Sequence, residues 1–135
     1  MTRYLLDSDV VIEFFKGVAP ALDFMSDLYR QGDTICTCAV VMAEVYSGFR
    51  PFELQQGDVL LRSMRFLTAS PEVGRQAGLW RYEFARQGLQ LAATDCLIAA
   101  TAHRHRATLI TGNTRHYPMP GWNSMPLPWR QMGSG

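Results

Sequence analysis

Short apolar segments alternate with longer stretches of helical periodicity, and this alternation constrains the fold more than any other feature of the sequence. Residues 3–6, 34–38 and 108–111 are rich in apolar or β-branched side chains, as expected of short buried strands. Segments with apolar residues at helical spacing lie between them. Strands that alternate with helices predict an α/β fold, in which a mainly parallel sheet of short strands is covered by helices on both faces.

Two longer helical stretches follow one another in the middle of the chain. The first covers residues 54–67, and the second begins at Ser70, which stands where an N-cap is expected before a proline. No strand is predicted between them, so residues 54–87 are expected to form a helical hairpin inserted into the α/β fold. Thr94 is the expected cap of a further helix that runs to about residue 105.

The chain is long enough for one domain and too short for two. With 135 residues it can bury a core without a disulfide or a structural metal. Residues 1–135 are therefore expected to form a single domain, in which residues 117–135, rich in proline and tryptophan, form an irregular tail or a short edge strand. The net charge of +1 gives no argument for a nucleic-acid or membrane partner.

The sequence predicts a cytoplasmic protein. No run of residues is long and apolar enough to span a membrane. The first residues do not resemble a signal peptide, because Asp7 and Asp9 interrupt the apolar segment. Three cysteines, an odd number, fit a reducing compartment.

Three acidic residues stand where apolar residues are expected. Asp7 ends the first predicted strand, Glu44 interrupts the apolar helix of residues 40–46, and Asp95 lies near the start of a helix. All three are expected at or just past the carboxyl edge of the sheet, where parallel sheets bind ligands. Asp7 and Asp95 could instead cap helices, whereas a lone glutamate among apolar neighbours is seldom buried without a partner.

Carboxylates that converge in this way repel one another unless some are protonated or a divalent cation lies among them. Magnesium prefers a few carboxylate oxygens and keeps water and phosphate oxygens as its other ligands. Such an ion can activate water and stabilise charge on a phosphodiester. The predicted site has no cluster of cysteine or histidine, so a hard cation is favoured over zinc.

Four segments of the chain resemble, in order and spacing, the motifs of PIN-domain nucleases. They are LLDSDVVI at 5–12, VMAEVYSG at 41–48, TDCLIAATA at 94–102 and LITGN at 109–113. The resemblance spans about residues 3–117 and is closest to the VapC-like ribonuclease toxins of type II toxin–antitoxin systems. It implies the PIN-like α/β/α sandwich.

This resemblance also implies a function. The family's activity is that of a Mg²⁺- or Mn²⁺-dependent endoribonuclease, usually a homodimer, which acts on RNA and is held inactive by a cognate VapB-like antitoxin. Asp7, Glu44 and Asp95 would form the catalytic and metal-binding site. Many members carry a fourth acidic residue at or just after the position of Asn113. The neutral amide found here can still orient a water or a metal-bound ligand, so Asn113 is included among the catalytic candidates.

Three further residues are candidates for contacting the substrate. Arg115 follows the fourth motif and suits a contact to the RNA backbone, with a solvated surface arginine as the alternative. Thr111 is placed to hydrogen-bond to a carboxylate or to a phosphate, unless it is only a strand-end threonine. Ser8, next to Asp7, is the third candidate.

Two other functions remain open on the sequence. Residues 7–11 also fit the D-x-D-x-[TV] opening of haloacid-dehalogenase-type phosphatases, in which the first aspartate is a nucleophile. However, the only lysine, Lys16, lies too early for that family, and no acidic residue follows Asp95. The second alternative is a non-catalytic PIN-like binding module with a degenerate metal site, which the neutral Asn113 favours.

The helical hairpin expected at residues 54–87 carries more apolar surface than a small domain needs to bury, which predicts a homodimer. The side chains expected to be available for this interface are Phe52, Leu60, Leu61, Met64 and Trp80.

Overall fold

Five short strands form one sheet, in which every strand runs parallel to its neighbours. The structure is a computed structural model that describes residues 2–119 and 124–126. The strands are β1 (Arg3–Leu6), β2 (Thr34–Cys38), β3 (Arg65–Leu67), β4 (Thr108–Thr111) and β5 (Ser124–Pro126). Among the described residues the α-helices are α1 (Ser8–Phe15), α2 (Ala19–Arg30), α3 (Ala39–Ser47), α4 (Leu54–Arg62), α5 (Pro71–Arg86) and α6 (Ala93–Arg104). This is the predicted α/β fold.

The strand order places β1 in the middle of the sheet. The order is β3-β2-β1-β4-β5, so the chain builds outward from β1 to one side and then returns to build on the other. The ladder between β1 and β4 continues past the end of β1, because the Asp7 N–H donates to the carbonyl of Ile110 at 2.9 Å. The boundary between β1 and β4 is thus the point where the strand order reverses, which is where parallel sheets bind ligands.

Both faces of the sheet are covered. Leu5 and Leu6 of β1, like Leu109 and Ile110 of β4, have no exposed surface. Since successive residues of a strand point to opposite faces, full burial of adjacent residues requires packing on each side of the sheet. The predicted sandwich is confirmed.

Residues 54–87 do not form the predicted helical hairpin. The first helix ends at Arg62, and Arg65–Leu67 forms β3, which pairs in parallel with β2. The apolar spacing continues from α4 into β3, and periodicity alone cannot separate a strand of this length from a helix. As a result α4 packs against α3, whereas α5 packs against α6.

The two predicted helix caps differ in outcome. The Ser70 hydroxyl accepts a hydrogen bond from the Val73 N–H at 3.4 Å and caps α5, as predicted. The prediction for Thr94 is wrong. Ala92, which is extended and makes no side-chain hydrogen bond, is the N-cap of α6, so Thr94 and Asp95 both lie in the first helical turn.

The C-terminal segment is only partly described. Residues 124–126 form the edge strand β5 beside β4, which agrees with the predicted edge strand. The remainder of the predicted tail after residue 119 lies outside the described residues. None of the described helices is long and apolar enough to cross a lipid bilayer.

Candidate active site

The predicted acidic residues meet at the carboxyl edge of the sheet. Asp7 directly follows β1, and Thr111 is the last residue of the neighbouring β4. Glu44 lies in α3, the helix that follows β2, and Asp95 lies in the first turn of α6. Four separate segments of the chain therefore supply one site.

Asp7 is buried and fully engaged by hydrogen-bond donors. Its side chain is 6% exposed. The Oδ1 atom accepts from the Ser8 N–H at 2.8 Å, which caps α1, and Oδ2 accepts from the Thr111 hydroxyl at 2.7 Å and the Tyr117 hydroxyl at 2.9 Å. The two roles weighed for this residue are therefore both present, because the same carboxylate caps a helix and stands in the acidic cluster.

Thr111 orients Asp7 and has no access to substrate. Its hydroxyl oxygen accepts a hydrogen bond from the Asn113 N–H at 3.0 Å, so its own proton is directed to Asp7. The side chain has no exposed surface. Thr111 was predicted to hydrogen-bond to a carboxylate or to a phosphate, and in the structure its partner is the Asp7 carboxylate. The predicted substrate-binding role is corrected, since a phosphate cannot reach a fully buried hydroxyl.

Tyr117 joins two of the acids, and sequence reasoning did not include it. Its hydroxyl lies 2.9 Å from Asp7 Oδ2 and 3.3 Å from Asp95 Oδ1, and its single proton serves one carboxylate at a time. Burial, followed by the charges of Asp7 and Asp95, raises the pKa of the phenol, which keeps it a donor. A tyrosine buried at 5% exposure needs a polar partner, but the sequence does not say which one.

Glu44 is the carboxylate in the least favourable surroundings. Burial raises its pKa, and the charges of Asp7, Asp95 and Asp9 raise it further, while a hydrogen bond from the Ser8 hydroxyl acts in the opposite direction. The Glu44 Oε1 atom is buried and has no hydrogen-bond partner among the described residues. Ser8, which was predicted as a candidate for contacting substrate, thus hydrogen-bonds to this acid.

Asp95 is partly buried beside two donors. Burial raises the pKa of its carboxyl, and the charge of Asp7 adds to this, whereas His116 and the Tyr117 hydroxyl lower it. His116 Nδ1 lies 3.5 Å from Asp95 Oδ2, a distance at which a protonated imidazole forms an ion pair. Asp95 is therefore compensated by an imidazole and a hydroxyl, whereas Glu44 has only the Ser8 hydroxyl from the described part of the chain.

The turn after β4 is attached to α1. Asp9 Oδ2 accepts hydrogen bonds from the Gly112 N–H at 3.0 Å and from Asn113 Nδ2 at 3.5 Å. Asn113 is exposed beside the site, and Arg115 is exposed on the 3₁₀ turn that follows. Asp9 was not among the predicted site residues, because nothing in the sequence shows that residues 9 and 112–113 are neighbours.

The donors at this site suit a hard divalent cation. They are carboxylate oxygens without thiolate or a histidine cluster, and a cation would satisfy the orphaned Glu44 Oε1 and relieve the repulsion among the acids. In the described part of the chain no three His, Cys, Asp or Glu side chains are already grouped as ligands of one ion.

Known proteins resemble this chain over most of its length. Residues 4–121 match the family model of the PIN domain. Ribonuclease VapC10 of Mycobacterium tuberculosis (strain ATCC 25618 / H37Rv) is 34% identical over 115 residues, which cover 85% of this chain and 86% of the relative. Ribonuclease VapC19 of the same strain is 28% identical over 117 residues, covering 85% and 92%.

Solved structures share the fold. The crystal structure of VapBC2 from Rickettsia felis bound to a DNA fragment from the promoter matches with a TM-score of 0.80 and 23% identity, covering 93% of this chain and 98% of that one. DNA-bound VapBC from Salmonella typhimurium matches with a TM-score of 0.78 and 18% identity, covering 94% and 99%.

Proposed function

Because this chain belongs to the PIN-domain family and is a VapC-like member of it, we propose that it is an endoribonuclease and the toxin of a toxin–antitoxin pair. The observation that carries the proposal is the convergence of Asp7, Glu44 and Asp95 at the carboxyl edge, with one buried carboxylate oxygen left without a partner. The haloacid-dehalogenase alternative is wrong, since the chain belongs to a different family. The proposed enzyme works in the cytoplasm, where its RNA substrates are.

The acids are proposed to hold Mg²⁺ or Mn²⁺. Asp7, Glu44 and Asp95 would be its protein ligands, and the bound ion would activate water and stabilise the charge that develops on the phosphodiester. The chain itself supplies the orientation of these ligands. The Thr111 hydroxyl and the Ser8 N–H fix the Asp7 carboxylate, so that its rotation is restricted before any ligand arrives.

The proton donor of the site is buried, whereas the proposed substrate contacts lie exposed at its rim. Tyr117 keeps its proton and donates a hydrogen bond to Asp7 or Asp95, which stabilises the charge of the carboxylate that accepts it. Asn113 lies exposed at the rim and is proposed to orient a water or a phosphate oxygen. Arg115 is proposed to contact the RNA backbone, because its side chain is exposed on the turn beside this rim.

A nuclease assay with a matched control tests the activity. Asp95→Asn removes one acid of the cluster, and Asp27→Asn removes an exposed aspartate whose recorded partner is Arg30. We expect the wild type and Asp27→Asn to cleave RNA internally with Mg²⁺ or Mn²⁺ and to be inactive with EDTA, and Asp95→Asn to be inactive under both conditions. Cleavage by Asp95→Asn at the wild-type rate would contradict the assignment of the site.

The same assay decides the alternative of a non-catalytic binding module. RNA that is bound by the wild-type protein at millimolar Mg²⁺ or Mn²⁺, but is recovered intact, would favour that module. The neutral Asn113 is the reason for considering a degenerate metal site, and Asn113→Asp is the variant that places an acid there.

A VapB-like antitoxin is the proposed partner. This is supported by the solved relatives, which are described as VapBC assemblies. The antitoxin is proposed to bring a basic side chain to the acids, where it would neutralise them and compete with the metal. Co-expression with a neighbouring small gene is expected to give a stable complex and to relieve growth arrest. Failure to obtain either effect with any neighbouring gene would count against the toxin assignment.

A further inference from the structure

Asp9 connects the first helix to the turn that follows β4. It lies in the first turn of α1, two residues after Asp7, and its Oδ2 atom accepts hydrogen bonds from the Gly112 N–H at 3.0 Å and from Asn113 Nδ2 at 3.5 Å. These two segments are about a hundred positions apart in the sequence. The Asp9 carboxylate therefore fixes the start of α1 to the turn at residues 112–113.

The turn that Asp9 holds leads directly to a catalytic candidate. The Asn113 N–H donates to the Thr111 hydroxyl at 3.0 Å, and that hydroxyl donates to Asp7 Oδ2 at 2.7 Å. Because the lone pair of the Thr111 oxygen that faces the turn is occupied, its proton has to point at Asp7. A shift of the turn would release this proton and leave Asp7 with only the Ser8 N–H and the Tyr117 hydroxyl as donors from the described residues.

Asp9 also contributes charge to the cluster. Its carboxylate acts on Glu44 in the same direction as Asp7 and Asp95 do, so it lies within the electrostatic range of the site. A neutral residue, Asn113, stands at the exposed end of the same hydrogen-bonded pair. The negative charge of this pair is therefore located at position 9 and is absent from position 113.

We propose that Asp9 is a positioning residue of the active site. It anchors the 112–113 turn so that the Thr111 hydroxyl holds Asp7 in place, and it supplies a fourth negative charge beside the metal ligands. This inference rests on the proposed nuclease function. Side chains that orient metal ligands from behind change metal affinity or activity by roughly 10–100-fold when they are removed.

Three variants separate the hydrogen bonds from the charge. Asp9→Ala removes both, and Asp9→Asn removes the charge while its amide oxygen can still accept from the Gly112 N–H. The double variant Asp9→Asn/Asn113→Asp restores one carboxylate and one amide, with the hydrogen bond between positions 9 and 113 reversed. Asp27→Asn is the control for loss of an exposed aspartate. Each variant is measured by RNA cleavage and by the Mn²⁺ concentration at half of the metal-induced rise in melting temperature.

We expect Asp9→Ala to lower kcat by roughly 10–100-fold with little change in KM, and to raise the Mn²⁺ midpoint by a similar factor. Asp9→Asn is expected to fall between Asp9→Ala and wild type. The double variant is expected to recover most of the loss in both quantities. A residue with a merely structural role would change the metal-free melting temperature and would give no recovery in the double variant.

Two results would overturn the inference. One is an Asp9→Ala protein with the wild-type kcat and Mn²⁺ midpoint. The other is a folded double variant that performs no better than Asp9→Asn. If wild type itself cleaves no RNA, the proposed function fails instead, and the Mn²⁺ midpoints of the same proteins still decide whether Asp9 positions the cluster.

Discussion

Asp7 and Glu44 lie at the same edge of the sheet but differ in how their charge is compensated. Asp7 accepts from three donors, whereas the Oε1 atom of Glu44 is buried without a partner among the described residues. Replacing Asp7 would therefore remove hydrogen bonds together with charge. Glu44 is the residue at which electrostatic repulsion can be relieved with the least other damage, because one of its carboxylate oxygens is already buried without a hydrogen-bond partner among the described residues.

We expect Glu44→Gln to raise the melting temperature of the metal-free protein at neutral pH. The pKa of Glu44 is raised from its ordinary value of 4.5. A carboxyl group whose pKa is raised in the folded state contributes stability below its ordinary pKa of 4.5. This contribution is lost as the pH rises through the folded pKa. Acidification from pH 7 towards pH 5 should therefore stabilise the wild type more than it stabilises Glu44→Gln.

Thermal melts with EDTA between pH 5 and pH 8 measure this difference, and Glu83→Gln, an exposed glutamate on α5, is the control. With Mn²⁺ the order should reverse, since a ligand that binds only the folded state stabilises it, by about 2.7 kcal/mol at a hundredfold excess over Kd. Parallel pH profiles for wild type and Glu44→Gln would show that Glu44 is not strained.

Tyr117→Phe tests the tyrosine that joins two acids. The variant leaves Asp7 and Asp95 without this donor in a buried setting, so the free energy of unfolding should fall by about 1–3 kcal/mol. Urea denaturation of the metal-free protein measures it. Tyr82→Phe is the matched control, because Tyr82 is 61% exposed and should change stability by less than about 0.5 kcal/mol. Equal effects of the two variants would contradict the bridging role.

The residues that sequence reasoning found and missed differ in one physical respect. Asp7, Glu44 and Asp95 stand out locally, because each is an acid at an otherwise apolar strand end or helix. Tyr117 and Asp9 look ordinary in their own segments. Their role comes from contacts to residues more than a hundred positions away, which no local pattern contains.

At the scale of the secondary-structure elements, four helices end in the same way. The second residue after the helix adopts a left-handed conformation, with φ of +76° at Gly17, +77° at Gly32, +86° at Gly88 and +54° at Arg106. In each case the following N–H bonds back to a carbonyl in the last turn of the helix. This ending suits glycine, and only Arg106 among the described residues reaches positive φ with a side chain.

Exchanging the residue types at two of these ends should change stability in opposite directions. Arg106→Gly removes the cost of about 1–2 kcal/mol that a side chain adds to the left-handed backbone conformation. Glycine also raises the entropy of the unfolded chain, which destabilises the folded state by about 0.4–1 kcal/mol. The expected net effect is a stabilisation of roughly 0.5–1 kcal/mol. Gly88→Ala should destabilise by a similar amount. Its new Cβ would meet no atom within 4 Å, so the effect is confined to the backbone. Urea denaturation checks both, and a destabilised Arg106→Gly would show that the arginine makes a compensating contact.

The elements could be predicted where length or chemistry distinguishes them. Strands β1, β2 and β4 and the capped start of α5 follow from apolar runs and from the Ser70-Pro71 pair. The strand β3 could not be separated from α4, because three residues carry too little periodicity to tell the two structures apart. Its place beside β2 is decided by tertiary pairing.

For the whole molecule, the structure changes which residues are available for a homodimer. Leu61, Met64 and Trp80, expected at the interface, are buried in the core of a single chain, and Leu60 is half-buried against it. Phe52 is 76% exposed and remains available. The other exposed large apolar side chains of this segment are Leu54, Val59, Phe66, Leu79 and Tyr82. The apolar residues of 54–87 were expected to leave surplus exposed surface, but most of them pack α4, β3 and α5 onto the core.

We still propose a homodimer, now through the surface around Phe52, and Phe52→Ser tests it. Covering a large exposed aromatic side chain with a partner favours association. A central contact of this kind contributes about 2 kcal/mol to the free energy of binding. A two-fold dimer contains this contact twice, so its loss should raise the dissociation constant roughly a thousandfold. Light scattering at tens of micromolar should show a dimer for wild type and a monomer for Phe52→Ser. Tyr29→Ser, which removes a 52% exposed aromatic side chain on α2, should remain dimeric. A monomeric wild type would contradict the homodimer. A Phe52→Ser protein that remains dimeric would place the interface elsewhere.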